Sequence, residues 1–157
     1  MVITEVLERN AAERKGEVAL VEINPDVKEK RRITWREYGL VEGDSASVPF
    51  RREITWQVFD EKANRCANLL LSRGIKKGDK VGILLMNCLE WLPLYFGILK
   101  TGALAVPLNY RYDASEIKYC VELADVDALF FGPEFIGRVE EICDDIKRVK
   151  LLFFVGD

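Results

Sequence analysis

Histidine is absent from the 157-residue chain, and its four cysteines, Cys66, Cys88, Cys120 and Cys143, never form a CxxC pair. The first absence removes Ser/His and Cys/His catalytic pairs, and the two together remove the usual zinc arrangements. The cysteines therefore read as packing residues of a reducing compartment. Charge of one sign is also lacking, since 23 Lys and Arg face 26 Asp and Glu for a net charge of −3 with no basic block. Nucleic acid is not an expected partner. No stretch approaches the roughly 20 apolar residues of a membrane-spanning helix. The start, MVITEVLERNAAERKGE, is charged and amphipathic rather than a signal peptide, so a cytoplasmic location is expected. Glycine is scattered, and no Gly-rich run could wrap a triphosphate.

What is present is an apolar share of 49%, enough for one core without disulfides. Residues Thr4 to Arg14 carry a helical pattern, with Val6, Leu7, Asn10 and Ala11 on one side and Gly16 as the stop. Val18 to Ile23 reads as a strand, Asn24-Pro25-Asp26 as a turn, and a second strand is expected near Arg31. RRITWREY (31–38) is echoed by RREITWQVF (51–59). Two copies are too few for a repeat architecture, so a local duplication or long hairpin is expected, with Gly43, Asp44, Ser45, Ser47 and Pro49 in the loop. Thr34 has Glu37 three residues on and could form a full capping box, whereas Thr55 can cap by its hydroxyl alone. Only the second copy leads into an apolar stripe, Phe59, Ala63, Cys66, Ala67 and Leu70, closed by Gly74 and Ile75.

The run GDKVGILLMNCLEWLPLYFGILKTGALAVPLNYRY (78–112) has the order strand, helix, strand, with Gly102 between the last two. That is the βαβ unit of a buried parallel sheet. The pattern continues with a helix over Ala114–Ala124, a strand over Ala128–Phe131, a helix opening at Pro133 with Phe135, Val139, Ile142 and Cys143 inward, and a strand over Lys150–Val155. The predicted class is α/β, a mainly parallel sheet with helices on both faces, preceded by a helix and an antiparallel hairpin. Three stretches are expected: 1–17 the first helix, 18–56 the hairpin with the duplicated ITW segment, and 57–157 the alternating region. The final strand is followed only by Gly156-Asp157, where an alternating sheet leads one to expect a further helix.

The segments ITW ahead of a helix, GDKVGILLMN and LKTGALAVPLN, in this order, resemble the N-terminal region of the AMP-forming acyl-CoA synthetases of the adenylate-forming superfamily. The resemblance extends from the first helix to the end of the chain, with residues 31–49 partly outside it. It implies an intact enzyme that uses ATP, Mg and CoA to activate a fatty or other carboxylic acid through an acyl adenylate. The family's Ser/Thr/Gly-rich phosphate loop, its adenylate-binding residues and its catalytic lysine do not occur in this sequence. The expectation is thus the first part of the large N-terminal domain, inactive alone and binding none of these cofactors tightly. A homo-oligomer through exposed sheet surface is expected as well. The alternatives are a short non-catalytic binding or interaction module derived from the family, and a free-standing flavodoxin-like nucleotide-binding domain.

Asn109, Tyr110 and Arg111 follow the carboxyl end of a predicted parallel strand, where open α/β sheets place ligands. By the resemblance, Asn109 and Arg111, with Arg138 after the next strand, are candidate contacts for the nucleotide part of CoA. Their structural alternatives are, for Arg111, bonding a helix C-terminus or pairing with Asp113 or Glu116, and for Arg138 pairing with Glu134 or Glu141. Trp91, Leu94, Tyr95 and Ile98 have the spacing of a core face rather than an acyl tunnel.

Overall fold

The computed structural model describes residues 2–23 and 51–156. In chain order the elements are α1 (Ile3–Glu13), β1 (Val18–Ile23), β2 (Arg51–Thr55), α2 (Trp56–Ser72), β3 (Lys80–Leu84), α3 (Trp91–Lys100), β4 (Leu104–Pro107), α4 (Ala114–Leu123), β5 (Ala128–Phe131), α5 (Ile136–Ile142) and β6 (Leu151–Phe154). The expected second strand near Arg31, the first ITW copy, its Thr34 capping box and the loop at 43–49 all lie outside the described residues. The strand that pairs with β1 is β2, the second copy, antiparallel from Ile23↔Arg51 to Val18↔Thr55.

β2 runs directly into α2, and Thr55 is both its last residue and the helix N-cap. The Thr55 hydroxyl accepts from the Val58 N–H at 3.3 Å, the single capping bond its sequence allows. At the other end Gly74 takes φ +87°. The Ile75 N–H reaches the Leu70 carbonyl at 3.0 Å, and the Gly74 N–H reaches that of Leu71 at 3.0 Å, the paired bonds of a Schellman stop. Gly102, at φ +80°, ends α3 in the same left-handed conformation.

The main sheet has four parallel strands in the order β4-β3-β5-β6. Its alternating side chains feed two cores, as a strand buried on both faces requires. Val81, Ile83, Ala105, Ala128, Phe130, Leu151 and Phe153 face α2 and α3. Leu84, Val106, Leu129 and Phe131 face α4 and α5. Ile98 is fully buried, and Trp91, Leu94 and Tyr95 pack half-buried around the same core, so the aromatic face of α3 is core. A third cluster of Leu7, Phe59 and Ala63 seats α1 and the hairpin on α2 and α3.

Charged groups fasten these layers. Lys100, its side chain only 9% exposed, lies 2.8 Å from both Glu8 and Asp60, joining α1, α2 and α3. Glu22 on β1 takes two bonds from Arg52, at 2.8 and 2.9 Å, and one from the Leu89 N–H at 2.8 Å. The hairpin is thereby tied to the loop after β3.

The helical segment opens at Pro133, as a 3-10 turn Pro133–Phe135 that leads into α5 at Ile136, because the fixed φ of proline suits a tight start. One sequence expectation is corrected. Cys143 is exposed rather than inward. α5 ends at Ile142, so the next residue is already in a turn, where its thiol reaches the Glu140 carbonyl at 3.2 Å.

The cysteines thus divide. Burial pushes the Cys66 thiol up to about 12, because a thiolate there would lose its hydration. The folded state holds that proton, while the unfolded chain releases it from about pH 8.5. The neutral-thiol advantage is therefore complete below pH 8.5 and shrinks as pH rises toward the folded value, by about 1.4 kcal/mol per unit. Urea midpoints of the parent between pH 8 and 11 should fall more steeply than those of Cys66→Ala; parallel slopes would contradict this. At neutral pH a thiol reagent should label exposed Cys143 well before Cys66.

Candidate functional site

The carboxyl ends of β3, β4 and β5 gather at one edge of the sheet. β4 lies on one side of β3 and β5 on the other, so connections diverge there and leave a crevice. This strand order is that of the flavodoxin-like arrangement. Side chains crowd the backbone at the end of β5, beside this crevice. Leu85 is buried just past β3, and a Cβ added to Gly132 would lie 3.2 Å from Leu85 and 2.8 Å from the Glu134 carboxylate.

The polar groups of this edge collect instead on the turn after β4. The Asn109 side-chain oxygen accepts from the Arg111 N–H at 3.0 Å, an Asx turn that folds the chain back. The Arg111 guanidinium lies over the Tyr110 ring, 5.4 Å from its centroid, and its Nε donates to the Tyr110 hydroxyl at 3.0 Å. Its terminal amines have no partner among the described residues.

The expected partners of Arg111, Asp113 and Glu116, are engaged elsewhere. The Asp113 carboxylate accepts from the Glu116 N–H at 2.8 Å, and the Glu116 carboxylate from the Asp113 N–H at 2.9 Å. This is a reciprocal capping box at the start of α4. The bond from the Glu116 N–H and a second from the Ser115 hydroxyl hold the Asp113 carboxyl below its ordinary range. The sequence signal for this cap is Asp-x-x-Glu ahead of an apolar helix, and it overrides the ion pairing that proximity to Arg111 suggests.

Arg138 departs from its same-helix alternative as well. It forms no ion pair with Glu134 or Glu141 among the described contacts. Its Nη1 donates to the Tyr110 carbonyl at 3.0 Å and to the Tyr112 carbonyl at 2.9 Å, and its guanidinium stacks on Phe135 at 5.4 Å. The structure thus joins all three candidates, Asn109, Arg111 and Arg138, in one cluster. Arg111 is presented at its surface and Arg138 holds it from beneath. Tyr110 and Phe135 are the two ring platforms beneath the guanidinium groups.

A hollow of about 260 Å³ lies at the opposite edge, lined by Val121, Glu122, Asp125, Asp145, Lys147 and Arg148. Asp145 there pairs with Lys118 at 2.7 Å and Arg148 with Asp127 at 3.3 Å. Among the described residues no three His, Cys, Asp or Glu side chains converge as a metal site would need. No described helix is long and apolar enough to cross a membrane.

Comparison with known proteins places this geometry. The model of the AMP-binding enzyme family matches residues 41–154. A medium/long-chain-fatty-acid–CoA/3-oxocholest-4-en-26-oate–CoA ligase of Mycobacterium marinum is 36% identical over 105 residues, covering 67% of this chain and 19% of that protein. A crotonobetaine/carnitine–CoA ligase of Salmonella paratyphi B is 33% identical over 120 residues, covering 73% of this chain and 23% of that protein. The chain therefore spans about a fifth of the length of these curated relatives. Among solved structures, the anthranilate CoA ligase AuaEII in complex with anthranoyl-AMP superposes with a TM-score of 0.76 at 26% identity, over 98% of this chain and 24% of that one. The N-terminal domain of FACL13 from Mycobacterium tuberculosis gives 0.64 at 30% identity, over 66% of this chain and 27% of that one. The chain belongs to the AMP-binding enzyme family, and its fold corresponds to the N-terminal region of AMP-forming acyl-CoA synthetases.

Proposed function

We propose that this chain is the opening part of the large N-terminal domain of an AMP-forming acid:CoA ligase. Such an enzyme joins a fatty or other carboxylic acid to ATP as an acyl adenylate, releasing pyrophosphate, and then transfers the acyl group to CoA, releasing AMP. CoA supplies the thiol that takes the acyl group. Residues 1–17 serve as the first helix, 18–56 as the hairpin region and 57–157 as the start of the alternating sheet. The adenylation chemistry, with its ATP and Mg, is assigned to residues other than these. An assay of acid-dependent ATP–pyrophosphate exchange with this chain should give no signal, and a clear one would refute that assignment.

The observation that carries a ligand role is the open guanidinium of Arg111 at the carboxyl end of the sheet. A fixed fork of donors with free terminal amines suits a phosphate oxygen, and we assign it to the nucleotide part of CoA. Asn109 shapes the turn that offers it. CoA titrated into the chain and followed by NMR should shift the resonances of the Asn109–Asp113 turn weakly. Arg111→Ala should lose about tenfold or more in affinity; equal binding by both proteins would dismiss the site.

We further propose self-association through the edge strand β6, where Leu152 is 44% and Phe154 47% exposed. Uncovered apolar groups on an unpaired strand edge favour pairing. A compact monomer in sedimentation at high concentration would contradict this.

A further inference from the structure

We infer that Arg138 is a positioning residue. It clamps the Asn109–Tyr112 turn through two main-chain carbonyls and so sets where the Arg111 guanidinium points. The inference rests on reading Arg111 as a phosphate contact, and it assigns Arg138 a role other than touching the ligand itself.

The turn has no secondary structure of its own. Between Leu108 at the end of the sheet and Asp113 at the start of α4, its own side chains contribute the Asn109 bond to the Arg111 N–H. Its main chain adds the bond from the Tyr112 N–H to the Asn109 carbonyl at 3.1 Å. Arg138 fastens this turn to α5, because one nitrogen meets the Tyr110 carbonyl at 3.0 Å and the Tyr112 carbonyl at 2.9 Å. Bonds from a cationic donor are stronger than neutral ones. The clamp is itself braced, since Arg138 leaves α5 one helical turn after Phe135 and stacks on that ring, and the ring is 1% exposed in the core. The line of support runs from core to Phe135 to Arg138 to the two carbonyls to Arg111.

The carbonyls also use the hydrogen-bonding capacity of Nη1. A group already donating twice to fixed acceptors is a poor phosphate ligand through that nitrogen, whereas Arg111 keeps both terminal amines open. Arg138 is thus engaged with the turn through Nη1, while Arg111 is held through Nε alone, which favours support for the first and contact for the second.

The test compares the full chain with Arg138→Lys, Arg138→Ala and Arg111→Gln in two measurements. Native-state deuterium exchange at the Tyr110, Arg111 and Tyr112 amides reads the clamp, with exchange in β3 as the control for global unfolding. CoA titration by NMR reads the contact. The expected result is that Arg138→Ala exchanges the turn amides about tenfold faster and weakens CoA by a similar factor. Arg138→Lys, which keeps the charge but loses the planar guanidinium that stacks on Phe135, should lie between. Arg111→Gln should lose CoA with the turn as protected as in the parent. Unchanged turn exchange in Arg138→Ala overturns the clamp. Parent-level affinity in Arg138→Lys with a loosened turn also overturns it, because charge alone would then suffice. A parent chain that shows no response to CoA refutes the underlying contact reading instead, and leaves the exchange result to judge the clamp.

Discussion

Gly97→Val should leave the chain unable to fold, and even Gly97→Ala should lower the urea midpoint by the equivalent of about 3 kcal/mol. A Cβ at this position would sit 2.6 Å from the Cβ of Cys66, 2.7 Å from its sulfur and 2.9 Å from the Ala63 carbonyl. These neighbours are largely backbone or rigidly attached to it, so no rotamer change relieves them. α3 would have to back away from α2, opening the core that Cys66, Leu70 and Ile98 fill between them. Alanine's helix propensity, favourable by about 1 kcal/mol over glycine, is too small to offset this. Cys66→Ala in the same chain removes only the sulfur contact and should rescue little, whereas Cys66→Gly removes the closest contact and should rescue more. A Gly97→Ala variant within about 0.5 kcal/mol of the parent would show that the helices have room to adjust.

Phe135→Ala should cost about 3–5 kcal/mol, the usual range for emptying a buried phenylalanine site. Phe135 is the largest side chain in the core shared by α4 and α5, and it is 1% exposed among Leu84, Leu129 and Val139. The short 3-10 turn that carries it has few bonds of its own, so collapse around the vacancy would shift the start of α5. Phe135→Leu should lose roughly a third as much, since it conserves more volume. Stability is read from urea unfolding with the m-value checked for constancy. The same pair of variants should loosen the turn that Arg138 holds, because the ring beneath the guanidinium is gone or reshaped. Loss of stability without any change at that turn would separate the two roles.

Much of this architecture was legible because the sequence obeys period rules without interruption from Val81 onward. VGILL alternates between two apolar faces, and the helix face of Trp91, Leu94, Tyr95 and Ile98 is spaced for packing. Gly74 and Gly102 stand where a left-handed residue must end a helix. The partner of β1 was only half legible. RRITWREY and RREITWQVF have nearly the same strand propensity, and what singles out the second, which pairs with β1, is its junction to the apolar stripe of α2. At the site, Asn109 and Arg111 were findable from their place after a strand. The true partners of Arg138 were not, because main-chain carbonyls more than twenty residues away leave no mark on side-chain identity. Asp113 and Glu116 show the reverse error. Their spacing announced a helix cap, and their proximity to an arginine suggested an ion pair instead.

The strand order has a further consequence, for synthesis. β3 is the first strand of the main sheet in the chain and lies between β4 and β5, so both its neighbours emerge from the ribosome after it. Until they do, VGILLM is an apolar, β-prone run with its backbone unpaired, the composition that pairs indiscriminately with other chains. Lys76, Lys77, Asp79 and Lys80 stand directly before it. In the finished fold they are ordinary residues of a turn and a strand start. During synthesis, charges in that place act against such pairing for the interval in which the strand has no partner.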